Sequence, residues 1–398
     1  MRKLWLAVSL LGVLLFVLAG IALAEEGVTD DEIVIGSHQD LSGPIAGWGI
    51  QVKMGLEMKA RELNEAGGIN GRKVRMVIED SKYDPKTAII VTNKMISRDH
   101  VFAFIGNMGS PTAGATKPII SRKKIPQMFP LTAASLFFEP YDRYSFAGFT
   151  PYYDQARIAV KYFTQKHGKK RFGIMYQDDE MGSIMLQGVK DQLKEQGMTL
   201  VAGESYKRGA TEFSSQIAKL RKADVEVVVL ATIIRETVGA LKEAKKIGWD
   251  VTMVGLSPTF TKFVPLLCQK AGFSPAGFYS VGQTPMVYAD SHLQTVRDWW
   301  KKHKEWFGKD PDLPTTAGYA GLHYFSIAAN IVGRDLTREK FIDAMETFRN
   351  VPDEIFGGPP YTFTPKDHQG AYYARVNVVD DQGRFVSVSD NLYYKLPE

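Results

Sequence analysis

Apolar and polar positions along this chain follow two alternating patterns. Short β-branched runs such as "EIVIGS" (32–37), "KVRMVIED" (73–80), "VFAFIG" (101–106) and "VEVVVLA" (225–231) predict strands. Between them apolar residues recur at helical spacing, as over 51–64, where Gly67-Gly68 then closes the helix. Asp84-Pro85 supplies a cap and a first-turn proline for a helix running through Met95. Strands this apolar, alternating with amphipathic helices, predict parallel sheets covered on both faces.

The alternation runs in two series, 33–130 and 171–256, separated by the aromatic, turn-rich stretch "YSFAGFTPYYDQ" (144–155). The fold class is therefore α/β, with two doubly wound parallel-sheet lobes and a linker near 148–152. The last third is less regular. Helical patterns at 291–307, 315–331 and 337–347 precede strand-like "YYARVNVVDD" and "RFVSVSD", and this part is expected to complete the two lobes by crossing between them.

The first residues change where the folded chain begins. Arg2 and Lys3 precede an apolar run, and Ala22-Leu23-Ala24 fits the small-x-small cleavage rule, so residues 1–24 read as a signal peptide cut after Ala24. An uncleaved membrane anchor is the other reading of that run. Export to a bacterial periplasm is expected. The chain carries 49 Lys and Arg against 44 Asp and Glu, a formal charge of +5. No dense basic run interleaved with aromatics occurs, so no nucleic-acid partner is expected. Cys268 is the single cysteine, which excludes an intrachain disulfide and a thiolate metal site.

Motifs for catalysis and cofactors are missing. There is no G-x-G-x-x-G after a strand, no G-x-x-x-x-G-K-[ST], no G-x-S-x-G and no H-E-x-x-H, and the seven histidines are scattered. Neither a cofactor nor a metal is expected, and no enzyme activity. An exported hydrolase is the competing class, with nothing that assembles a nucleophile, base and orienter. His38 and the acidic run Asp178-Asp179-Glu180 read as hydrogen-bonded structure and helix cap.

What remains is a set of loops at strand ends, where open α/β sheets bind ligands. "DLSGPIAGWG" (40–49) carries Trp48. "NMGSPT" (107–112) presents Ser110 at a helix start, a place suited to an anion. "PLTAASLFFEP" (130–140) presents Ala133, Ala134 and Ser135, small enough to let a ligand approach the backbone. "SPTF" (257–260) ends a strand of the later series. Each alone is also an ordinary turn; three within one lobe suggest a cleft.

These loops, with "ELNEAGGINGRKVRMVIEDSKYDPKTA" and "FIGNMGSPTAGATKPIISRKKIPQMFPLTAAS", resemble the periplasmic substrate-binding proteins of branched-chain amino acid ABC transporters, the leucine/isoleucine/valine-binding type. The likeness runs from Glu32 to about Ser389. It implies the type I periplasmic binding protein fold: two lobes hinged on three crossovers near 148–151, 281–285 and 352–358. Residues 25–148 and 284–355 would form the first lobe, and 149–283 and 356–398 the second. It implies that Ser110, Ala133, Ala134 and Ser135 hold a ligand carboxylate, and that Trp48 covers the ligand side chain. Ser257 stands where the family's amino-acid binders place an acid for the ammonium, and Met181 and Ile233 stand where tyrosines are common. Tyr83 and Gly109 replace a disulfide found in some members. The implied role is a receptor that delivers an apolar amino acid to an inner-membrane ABC permease, acting as a monomer. A carboxylic acid without an amine, or a sensor of the same fold, is the alternative.

Overall fold

A computed structural model describes residues 25–390 and the strand Leu392–Tyr393. The expected signal segment, 1–24, lies outside the described residues. Five parallel strands form the first sheet: β1 (Glu32–Gln39), β2 (Lys73–Asp80), β3 (Ala103–Ile105), β4 (Gln127–Met128) and β5 (Ser145–Phe146), in the order β2-β1-β3-β4-β5. The second sheet begins with β6 (Phe172–Gln177), β7 (Ala202–Tyr206), β8 (Val227–Ala231), β9 (Thr252–Gly255) and β10 (Tyr279–Gly282). Their order, β7-β6-β8-β9-β10, repeats that of the first sheet. Both lobes therefore reverse strand order beside their first strand, at β1/β3 and β6/β8, and such a reversal opens a crevice at the strand ends.

Local chemistry fixes the elements in the predicted places. Every side chain of β8 is buried, as a strand covered on both faces requires. Helix α1 (Ala46–Glu65) follows β1, and α2 (Pro85–Ser97) starts at the predicted cap, with Thr87 N donating to Asp84 Oδ1 at 2.7 Å. The turn after β3 differs from a plain helix start. Residues Gly109–Ala113 form a wide π turn that leads into α3 (Gly114–Arg122).

The second lobe continues with α4 (Tyr152–His167), α5 (Glu180–Glu195), α6 (Ser214–Lys222), α7 (Ile234–Lys246) and α8 (Phe263–Lys270). The last third then splits. Helices α9 (Gln294–Phe307), α10 (Leu313–Val332) and α11 (Arg338–Met345) join the first lobe, α10 lying against α1 with Gly55 and Gly318 facing the partner helix's backbone. Strands β11 (Tyr373–Val379) and β12 (Phe385–Ser387) extend the second sheet in antiparallel sense, so that sheet is mixed rather than parallel throughout. The hairpin between them turns at Asp380–Gly383 and reverses the chain.

The segment that follows the crossover expected near 352–358 still contacts the first sheet. Phe363 packs on Phe129 and Phe146, His368 stacks on Phe146 at 3.9 Å, and Ala147 bridges Gln369. Residues up to about 370 thus lie on the first sheet, because their aromatic side chains find its apolar edge.

Candidate functional site

The residue facing the cleft after the first strand of each lobe is set by a glycine that follows it. The loop after β1 is tied by the buried Asp40 carboxylate, which accepts from Ile45 N at 2.7 Å and from Gly43 N. Gly49 then lies on the Asp40 carbonyl, where a Cβ would stand 1.9 Å from that oxygen. In the other lobe Gly182 lies the same way on the Gln177 carbonyl, again at 1.9 Å. The preceding residues, Trp48 and Met181, both reach the cavity between the lobes.

About 520 Å³ of space lies between the atoms lining that cavity, part of it open to solvent. Its walls include Ile45, Trp48, Tyr83, Leu131 and Phe149 from the first half of the chain, and Met181, Ile233 and Ser257 from the second lobe. Among the described residues no Asp, Glu, Lys or Arg lines it. It is an apolar slot.

At one end neutral donors converge. Ser110, buried in the π turn, lies 2.7 Å from the Thr132 hydroxyl. The Tyr152 phenol, fully enclosed, is pushed up by burial against hydrogen bonds from Thr132, the Ala133 backbone and Ser110. Two hydroxyls, a phenol and a backbone group therefore cluster at one place, an arrangement suited to a carboxylate. Gly109 makes the turn possible. Its φ is +79°, and a Cβ there would meet the Tyr83 ring at 2.3 Å.

The predicted residues separate accordingly. Trp48, Ser110, Ala133, Met181, Ile233 and Ser257 line the cavity. Ala134 and Ser135 do not. Ala134 packs behind the wall with Ala113, Phe137 and Ala147, and its N–H donates to Thr132 Oγ1 at 3.1 Å. Ser135 begins a short 3₁₀ turn (Ser135–Phe137) and its carbonyl accepts from Phe138 N and Glu139 N. The reason is local: the chain turns away after Ala133. Thr132 and Tyr152 carry the hydroxyls that the sequence reading passed over. Thr132 was signalled by its place beside Ala133 in the quoted loop; Tyr152 sits in the aromatic linker and gave no signal of its own.

The family model described as "Periplasmic binding protein" matches residues 32–384. The chain belongs to this family. This periplasmic binding protein is 26% identical to the "Leucine-, isoleucine-, valine-, threonine-, and alanine-binding protein" of Pseudomonas aeruginosa, over 58% of this chain and 62% of that relative. It is 28% identical to the "Leu/Ile/Val-binding protein" of Escherichia coli, over 54% and 58% respectively. The matches thus span about six tenths of these relatives' length. Two solved structures share the fold across nearly the whole chain. A fatty acid ABC transporter substrate-binding protein from Thermomonospora curvata has a TM-score of 0.84 at 22% identity, covering 93% of this chain and 95% of its own. A branched-chain amino acid ABC transporter structure from Thermus thermophilus with bound valine has a TM-score of 0.82 at 19% identity, covering 92% and 98%.

In this periplasmic binding protein the lobes also touch through Asp312 and Arg208, which lie outside the cavity walls. Asp312 caps α10 through Leu313 N at 2.7 Å and accepts from Lys262 N of the second lobe at 3.0 Å. Arg208, paired with Asp179 at 2.9 Å, lies 5.7 Å from the Tyr83 ring centre. At the crossovers two glutamines bind neighbouring segments together. Gln283 accepts from Thr150 N at 2.8 Å and donates to the Gly148 carbonyl at 2.9 Å, while Gln369 donates to the Phe149 carbonyl at 2.8 Å.

His38 is buried, held neutral with a pKa lowered to about 3 by burial, and lies 3.2 Å from the Thr116 hydroxyl. It is structural. Glu236, in the first turn of α7 behind Ile233, is fully buried, and neither carboxylate oxygen has a hydrogen-bond partner among the described residues. Burial raises its pKa. A raised acid binds its proton more tightly folded than unfolded, so its contribution to stability is lost as pH rises above the ordinary glutamate value of about 4.3. Glu236→Gln, which keeps the shape and cannot ionise, is expected to flatten that loss between about pH 4 and pH 8. Urea unfolding of both forms across this range checks it; parallel curves would show that Glu236 ionises freely.

Proposed function

We propose that this periplasmic binding protein is an exported receptor for a small apolar carboxylate, a branched-chain or other apolar amino acid, which it encloses between its lobes as a monomer and hands to an ABC permease. One observation carries the reading: Ser110, Thr132, Ala133 and Tyr152 converge at the end of an apolar cavity, at the strand-order reversal of the first lobe. The printed names of the relatives support the ligand class, since several bind leucine, isoleucine and valine. Enclosure between the lobes strengthens each polar contact by excluding water.

The amine is the point on which the walls differ from a plain amino-acid site, since among the described residues no acid lines the cavity. Backbone carbonyls and hydroxyls would then receive the ammonium. Thermal unfolding of the protein from Glu25 onward, with leucine and separately with 4-methylpentanoate, tests the reading. At about 100 times its dissociation constant a ligand adds roughly 2.7 kcal/mol, a rise of several degrees in the midpoint. Leucine is expected to give that rise. A rise with 4-methylpentanoate alone would assign the site to acids lacking an amine, and no rise with any apolar carboxylate would overturn the reading.

A further inference from the structure

We infer that the ligand cavity continues past Trp48 into a second chamber at the crossovers, and that this protein takes carboxylates whose apolar tail is longer than leucine's. The inference rests on the proposed function, in which the carboxylate sits at Ser110. About 660 Å³ of space, part of it open to solvent, lies between the atoms of the second chamber, which shares three walls with the first: Trp48, Phe149 and Ser257. Ser257 is the smallest of the three, so the shared boundary is narrow in side-chain bulk on the second-lobe side.

The chamber's far walls suit hydrocarbon. Gly148, Ala317, Ala320 and Gly321 leave the space open, while Phe129 and Phe356 supply apolar surface. Its acid and its two tyrosines already have protein partners. Asp353 accepts from Phe356 N at 2.9 Å and Gly358 N at 3.0 Å. Tyr361 donates to the Gly148 carbonyl at 3.1 Å, and Tyr324 to the Pro352 carbonyl at 3.2 Å. A tail placed there leaves these hydrogen bonds intact and gains burial. It would also touch Gly148 and Thr284, at two of the connections between lobes, so tail length would bear on how far the lobes close.

Calorimetric titration with leucine, 2-aminooctanoate and 2-aminodecanoate, and with octanoate and decanoate, tests the inference. Each methylene buried beyond leucine's length is expected to tighten binding by up to about fourfold. Ala320→Leu and Ala317→Leu, partly buried helix positions that line the chamber, fill it from one wall. They are expected to weaken 2-aminodecanoate or decanoate by about tenfold or more while changing leucine by less than about twofold, an amount of tail burial that follows from roughly 0.8 kcal/mol per methylene. Retained leucine binding shows that the variants fold. Long ligands that bind more weakly than leucine, or variants that leave long and short ligands equally affected, would overturn the second chamber. Silence from the whole series would overturn the carboxylate reading together with it.

Discussion

Gly49→Ala is expected to destabilise the first lobe by roughly 3 kcal/mol or more, the upper part of the range for overpacking a close contact. The added Cβ would stand 1.9 Å from the Asp40 carbonyl oxygen, 2.7 Å from its carbon and 2.8 Å from the Asp40 nitrogen. All three are backbone atoms, so no rotamer change relieves the clash. The helix start must move, and Trp48 with it. The thermal midpoint should fall by roughly 6–12 °C, and ligand should no longer protect fully. Gly47→Ala is the matched control: its Cβ would meet the Phe263 ring at 3.5 Å, an ordinary contact. Equal midpoints for the two variants would show that the Asp40 contact is not the constraint described.

The second large effect concerns affinity. Ser110→Ala is expected to weaken binding of the ligand by roughly 1–3 kcal/mol, about five- to 150-fold, the usual loss for a hydrogen bond to a charged group. The hydroxyl lies 2.7 Å from Thr132 and is buried, so its removal also leaves Thr132 with one partner fewer at the cradle. Ser135→Ala, on the 3₁₀ turn outside the cavity, should leave affinity unchanged. Calorimetry with whichever carboxylate shifts the midpoint reads both. Unchanged affinity in Ser110→Ala would remove the carboxylate from this turn, and a loss in Ser135→Ala would return that residue to the site.

How far the site was legible depended on how local its signals were. Strand β8 and the Asp84 cap follow from patterns within a few residues, and the structure places them as read. Trp48, Ser110 and Ala133 were found because a strand ends just before each of their loops, and a strand end is visible in sequence. Ala134 looked equivalent to Ala133, since the direction in which a loop turns away is not encoded in residue size. Tyr152 could not be read from spacing: its phenol meets Ser110 only because the linker folds back beneath the first lobe's loops. Likewise the aromatic tail from Tyr361 to His368 chose the first sheet through contacts with Phe129 and Phe146, which lie far away in sequence. Glu236 reads in sequence as an ordinary first-turn helix acid; only the fold shows it sealed in.

Under the proposed reading, the groups around Ser110 would hold the ligand carboxylate with dipoles and not with a cation, since among the described residues no Lys or Arg lines the cavity. Attraction to an arginine or lysine would fade with distance gradually and would weaken in concentrated salt. Dipoles act only when aimed, and buried ones are little affected by dissolved ions. Capture should therefore be nearly independent of ionic strength. Release is left to mechanics. Whatever pulls the lobes apart readmits water around Ser110 and Tyr152, and the hold fails at once rather than by degrees.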